Sequence, residues 1–251
     1  MLNRFFQFST LLVLTLNFSV VAGELINHEY SHYQLWIDCE ENAAIAFEYQ
    51  IRSDKGNKAR YKSFYDDPKL PQKCEQKSRE SYKHFDSEMP SFDRGNLAAA
   101  NHFDFDKKAL KEANYMANVL PQTLQLNRGA WKRTEELIEC YRDTFNLSNY
   151  GGVVWGEDSR NDLFMKSHGI RTPDYYWRVI FGVHNGDEFF SAWLLPNTKD
   201  AKSSNLENYQ IQLVDLMVLI EYEQVKEMLE NLDVKSGKPF IYKKGCKAYE
   251  S

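Results

Sequence analysis

No C-x-x-C pair occurs in the 251 residues, and the four cysteines stand far apart, which argues against a cysteine-built zinc site. After the N-terminus no apolar run approaches bilayer-spanning length without charges, so no internal membrane helix is expected. There is no internal repeat and no low-complexity tract, which excludes a solenoid and a linker-rich chain. Positive charge is not in excess either. Thirty-one Lys and Arg against 36 Asp and Glu give a net charge of −5, whereas a nucleic-acid partner ordinarily calls for a basic surface.

What the chain has is apolar content: 43% hydrophobic and 14% aromatic residues, enough to build a sizeable core. Met1 to Ala22 is a segment apart. Arg4 supplies a short positive region, Phe5 to Val21 is mostly apolar, and Val20 and Ala22 fit the small-residue pattern before a cleavage site. This predicts a secretory signal peptide at 1–22, a single domain over 23–251, secretion or delivery to a periplasm, and no stable membrane association after cleavage. An uncleaved N-terminal anchor is the alternative. Losing Arg4 takes the charge from −5 to −6. Cys39, Cys74, Cys140 and Cys246 all lie in the mature part. In an oxidising compartment four cysteines suggest disulfides with three possible connectivities, and Cys140 could instead be a buried thiol. Charge is unevenly spread: Lys55 to Lys83 is rich in Lys and Arg, and Asp187 to Ser251 is richer in Glu and Asp. A basic cleft on an acidic body and a solvated lysine-rich loop both fit.

The pattern along the chain predicts strands at Ala43 to Ile51, Phe92 to Asn96, Gly151 to Trp155, Tyr176 to Val183 and Glu188 to Leu195. Asn185-Gly186 signals a hairpin between the last two. Helical periodicity covers Lys107 to Ala117, Ala130 to Phe145 and most of Asn208 to Leu232. Lys58 to Met89, broken by Pro68 and Pro71, reads as a long surface loop of the kind that carries function. Strands, then helices, then strands, then a helix predict an α+β fold on a mainly antiparallel sheet with packed helices. Trp131, Trp177 and Trp193 sit in apolar periodic segments and are expected in the core. "FDFDKK" (Phe103 to Lys108) reads as a helix start, and "NLS" at Asn146 as a glycosylation sequon if the host glycosylates.

Chemistry-bearing residues concentrate between Asp93 and Glu135. Asp93-Arg94-Gly95-Asn96 is followed by "LAAANH", then by "ANVLPQ" (Ala117 to Gln122), "LNRGAW" (Leu126 to Trp131) and Glu135. Together these resemble the DNA/RNA non-specific endonuclease family, the His-Me finger or ββα-metal nucleases, and within it the endonuclease G branch. Members carry an Asp-Arg-Gly-His box, an "SN-x-x-PQ"-like segment, and "LN-x-x-x-W" opening a helix with a glutamate four residues after the tryptophan. "YYWRVIF" (Tyr175 to Phe181) and "AWLLPN" (Ala192 to Asn197) also look like the family's later sheet.

The resemblance implies that Asn127 is the one direct protein ligand of a Mg²⁺ (or Mn²⁺) ion and that Glu135 holds a metal-bound water. An amide oxygen suits such a hard, well-hydrated cation. On a regular helix the two residues fall within about 80° of one another; N-capping is the alternative role for Asn127. Arg94, and Arg60 in "KARY", are implied at the scissile phosphate, which a guanidinium can hold by two parallel hydrogen bonds. The substrates implied are DNA and RNA, read with little base preference.

Two departures stand out. Where members have an arginine one turn beyond the glutamate, this chain has Glu139, with Arg142 three further on. And Asn96 stands where members have the histidine that takes a proton from the attacking water. A carboxamide has no basic lone pair and can only orient a water. Its replacement by His102 or His84 is a further possibility, as is a nuclease fold that binds nucleic acid without turnover.

Overall fold

The computed structural model describes residues 25–232 and 237–241. The signal peptide expected at Met1 to Ala22, and Cys246, lie outside them. Six antiparallel strands form the main sheet in the order β1-β2-β3-β6-β7-β8: β1 (Leu25–Glu29), β2 (Gln34–Asp38), β3 (Ala43–Ile51), β6 (Asn146–Val154), β7 (Tyr175–His184) and β8 (Asp187–Pro196). A separate antiparallel ribbon pairs β4 (Phe92–Asn96) with β5 (Val119–Thr123). Helices α1 (Lys107–Glu112), α2 (Trp131–Tyr141), α3 (Leu213–Leu219) and α4 (Glu223–Glu230) complete the α+β architecture.

The centre of the sheet is held by large aromatics crossing small residues. A Cβ at Gly152 would lie 2.2 Å from the Ile45 carbonyl oxygen and 2.8 Å from the Trp177 ring, so β6 lies close to both neighbours only because that position is bare. Trp131, Trp177 and Trp193 are fully buried, as expected of core residues. Trp131 meets Phe47 and Tyr176 edge-on, which seats the start of α2 on the sheet. The hairpin at Asn185-Gly186 has positive φ at both residues (52° and 84°), the primed-turn geometry that this dipeptide favours.

Other elements differ from the pattern-based expectation. β1 and β2 are additional strands. β5 forms in spite of Pro121, because it belongs to a two-stranded ribbon and the missing N–H breaks no central ladder. α1 stops at Glu112, and Met116–Asn118 follows as a separate 3₁₀ turn. The span from Asn208 is not one helix. Gln210 bridges to Trp193, and Ile220 and Tyr222 take extended backbone between α3 and α4. α2 is preceded by a π-helical turn, Leu126–Ala130, so the 80° relation expected between Asn127 and Glu135 on a regular helix does not hold. Asn127 lies inside that turn and caps nothing. "FDFDKK" does start a helix: the Asp106 carboxylate accepts from the Lys108 N–H at 2.8 Å.

Of the three disulfide connectivities, the structure forms Cys39–Cys74. Cys140 is also disulfide-bonded, and so is not a thiol. The long segment from Lys58 is tied down at several points besides the bridge. Gln76 donates to the carbonyls of Met116 (3.1 Å) and Val119 (2.6 Å), and Tyr82 donates to Gln76.

Candidate active site

Asparagine side chains fix the ribbon from which the site is built. Asn118 accepts from the Ala98 N–H and donates to the carbonyls of Ala98 and Ala113. Asn197 accepts from the Thr123 N–H and donates to the carbonyls of Pro121 and Pro173, which fastens β5 to the end of β8. Thr123 in turn accepts from the Leu126 N–H and begins the π-helical turn. The route from β4 to α2 is therefore braced on both sides by buried hydrogen bonds that would cost free energy if left unmade.

The ribbon and α2 form one side of a cleft of about 980 Å³, and the Lys58 segment forms the other. Arg60, Arg94, Asn96, Asn127 and Glu135 all line it. The basic-cleft expectation is met only in part. Six cations (Lys58, Arg60, Arg94, Arg128, Lys132, Arg142) face five carboxylates (Asp54, Asp104, Glu135, Glu136, Glu139).

Asn127 is held by Asp93. Its Nδ2 donates to Asp93 Oδ2 at 3.0 Å, leaving the amide oxygen as a hard donor in the cleft. The same carboxylate takes two parallel bonds of 2.8 Å from Arg128. Partial burial would raise the Asp93 pKa, but these bonds from Arg128 and Asn127 hold it below the usual carboxylate range. No cluster of three or more His, Cys, Asp or Glu suited to a metal occurs among the described residues. The oriented amide oxygen of Asn127, with Glu135 on the same wall, fits a cation that keeps most of its water.

Glu135 keeps 18% of its side chain exposed to the cleft. Behind it stands Arg178 of β7, fully buried, with Nη2 3.6 Å from Glu135 Oε1 and the guanidinium 3.8 Å from the Trp131 ring. Burial pushes the Glu135 carboxyl up, against the pull of Arg178, His102 and Arg60.

Asn96, on the last position of β4, donates through Nδ2 to the Ala113 carbonyl at 2.6 Å, while its backbone carbonyl accepts from Trp131 Nε1 at 3.2 Å. The amide thus has a fixed orientation, with Oδ1 left as an acceptor. Arg94 donates to the Arg79 carbonyl at 2.6 Å and stacks on Phe64 at 4.2 Å. Arg60 is exposed on the facing wall.

Neither alternative histidine reaches this space. No histidine lines the cleft among the described residues. His84 bonds to the Pro90 carbonyl and packs against Phe92. His102 is buried, with Nδ1 2.8 Å from the Tyr49 hydroxyl and Nε2 3.3 Å from Glu139. Glu139, at the position of the expected arginine, gathers His102, Asn101 and Arg142. Burial would raise its carboxyl, but the hydrogen bond and charge of His102 and then Arg142 hold it below the usual range. Arg142 is itself buried in this contact and on the Arg52 carbonyl, so it does not replace a phosphate-facing arginine. Sequence reasoning missed Arg178 and the holding role of Asp93. A lone arginine inside the apolar run "YYWRVIF" was the visible sign of the first.

Comparison with known proteins gives the family. The family model for DNA/RNA non-specific endonucleases matches residues 17–228. The chain is 27% identical over 138 residues to the mitochondrial nuclease EXOG of Mus musculus, a stretch that covers 49% of this chain and 37% of that protein. It is 44% identical over 135 residues to the mitochondrial endonuclease G of Homo sapiens, covering 49% and 44%. With the mitochondrial Nuclease 1 of Schizosaccharomyces pombe it shares 25% identity over 210 residues, covering 75% and 58%. The matched stretches thus span less than half the length of the two mammalian proteins. Among solved structures, EndoG in the EndoG/EndoGI complex superposes with a TM-score of 0.55 at 18% identity, covering 79% of this chain and 84% of that one, a likeness of fold. The chain belongs to the DNA/RNA non-specific endonuclease family.

Proposed function

We propose that this protein is an exported, divalent-metal-dependent endonuclease that hydrolyses phosphodiester bonds in DNA and RNA with little sequence preference. The observation that carries the reading is Asn127, whose amide nitrogen is held by Asp93, in a cleft shared with Glu135, Arg60, Arg94 and Asn96. When bound at Asn127, Mg²⁺ or Mn²⁺ would supply Lewis-acid stabilisation of the leaving oxygen. The other steps belong to side chains. Arg60 and Arg94 bind the phosphate and offset charge that grows in the transition state. Glu135 accepts a hydrogen bond from a water in the cleft. Asn96 Oδ1 orients the attacking water, and its proton passes to solvent, since an amide cannot hold it. Contacts of this kind go to phosphate and sugar and carry no base code.

The leader Met1 to Ala22 and the Cys39–Cys74 bridge support export through an oxidising compartment. The relatives above are mitochondrial by name. The N-terminal mass of the secreted protein tests this, and a chain that begins at Met1 would refute cleavage.

A second reading, nucleic-acid binding without turnover, is favoured by Asn96 and by the lack of histidine in the cleft among the described residues. Plasmid degradation by purified protein separates the two. Cleavage with Mg²⁺ that stops with EDTA and in Asn127→Ala supports the enzyme. Salt-sensitive DNA binding with no cleavage in any metal supports the binder.

A further inference from the structure

We propose that Arg178 is a positioning residue that fixes the Glu135 side chain with one carboxyl oxygen facing the cleft. This rests on the nuclease reading of the site.

Arg178 is the one charged residue in the apolar run of β7 and has no exposed surface. A guanidinium cannot lose its proton there, so it needs a counter-charge. Among the described residues the one carboxylate in ion-pair range is Glu135, at 3.6 Å. Around it stand the face of Trp131, the Phe47 ring at 5.7 Å, Tyr49 and, at 3.4 Å, the Leu97 carbonyl. Its Nε and Nη1 have no hydrogen-bond partner among the described residues. Such a buried cation is poorly paid for as packing, because an aliphatic residue would fill the strand position without unpaired donors. It makes sense as the group that draws Glu135 Oε1 inward and leaves the other carboxylate oxygen toward the cleft. Trp131 holds Arg178 in place and also donates to the Asn96 carbonyl, so one ring supports both the glutamate and the asparagine.

The test is a cycle of Arg178→Met, Glu135→Gln and the double variant, with kcat and KM on DNA in Mg²⁺. It includes binding of Mn²⁺ to the protein alone, read by the EPR signal of free Mn²⁺. Partners that orient a metal site's groups are typically worth about 10- to 100-fold. Arg178→Met should lower kcat and weaken Mn²⁺ binding by that order with KM unchanged, since Arg178 cannot reach substrate. The double variant should lose no more than Glu135→Gln alone. Arg178→Lys, which keeps the charge, should recover most of the loss. The proposal is overturned if Arg178→Met folds and leaves kcat and Mn²⁺ binding intact, or if its effect multiplies with that of Glu135→Gln. Should Arg178→Met fail to fold, Arg178→Lys enters the same cycle: a loss that vanishes in Glu135→Gln supports the proposal, and one that multiplies overturns it. Absence of Mg²⁺-dependent cleavage by the wild type would instead refute the nuclease reading.

Discussion

Asn96→His is the perturbation for which the structure makes the most definite statement. Asparagine Nδ2 and histidine Nδ1 occupy the same place on the side chain, both bonded to Cγ. The Ala113 carbonyl, 2.6 Å from Asn96 Nδ2, would accept from a histidine Nδ1–H in the same way. That bond selects the tautomer whose Nε2 lone pair is free, one atom further into the open cleft. A positioned general base is worth about 10²- to 10⁴-fold, or roughly 3–5 kcal/mol of barrier. The gain should fall on kcat, because the substitution adds nothing to the phosphate contacts of Arg60 and Arg94. The pH profile should change with it. Where solvent takes the proton, the rate keeps rising with pH. With an imidazole base it rises only until the ring is deprotonated, near its ordinary pKa of about 6.5, and then levels. Initial cleavage rates of a fluorescent oligonucleotide, wild type against Asn96→His across pH, give both readouts. A folded Asn96→His protein that binds DNA as before, yet gains no rate and keeps the wild-type pH slope, would show that Asn96 does not stand at the attacking water.

Asp93→Asn should lower metal-dependent cleavage about 10- to 100-fold by releasing Asn127 and Arg128 together, and calorimetric Mn²⁺ titration should show weaker binding. Because the Glu139 carboxyl is held low in the fold, its stabilising pairing is complete above the unfolded value of about 4.3 and is lost as pH falls through the folded value. Thermal unfolding below about pH 4 should therefore fall less steeply in Glu139→Gln than in the wild type. The Cys39–Cys74 bridge closes a loop over a sequence separation of 35. Its removal by Cys39→Ser with Cys74→Ser should cost about 3–4 kcal/mol in denaturant unfolding. Phosphate affinity should weaken as well, since this loop carries Arg60, and Arg79, whose carbonyl holds Arg94, lies five residues beyond Cys74. A Cβ at Gly95 would lie 2.3 Å from the buried Gln122 side chain, so Gly95→Ala should cost about 1–3 kcal/mol by overpacking, visible as a lowered melting temperature.

Much of the fold was legible where local chemistry decides it. Asn185-Gly186 specifies its own turn, and the spacing of Trp131, Leu137, Ile138 and Tyr141 marks the buried face of α2. β1 was not legible, because "LINHE" is short, half polar and takes its form from pairing with β2. The break between α3 and α4 carries no proline or glycine. It follows from Ile220 turning inward to the core, a tertiary effect. At the site, the five predicted residues stand in short motifs, and the structure brings them to one cleft. Arg178 lies 43 residues beyond Glu135, and no local pattern links them. The same holds for the choice of Cys74 as partner of Cys39, which depends on how a proline-broken segment returns to the β2–β3 turn.

The Ala113 carbonyl that seats the Asn96 amide also has a meaning in the language of codons. Asparagine and histidine differ at the first base of the triplet alone. A gene for this chain therefore stands one nucleotide from a histidine-bearing box, with the acceptor for that ring already in position. Passage between the two states needs no neighbouring change, and selection for a slower or a faster cleft can act through a single substitution.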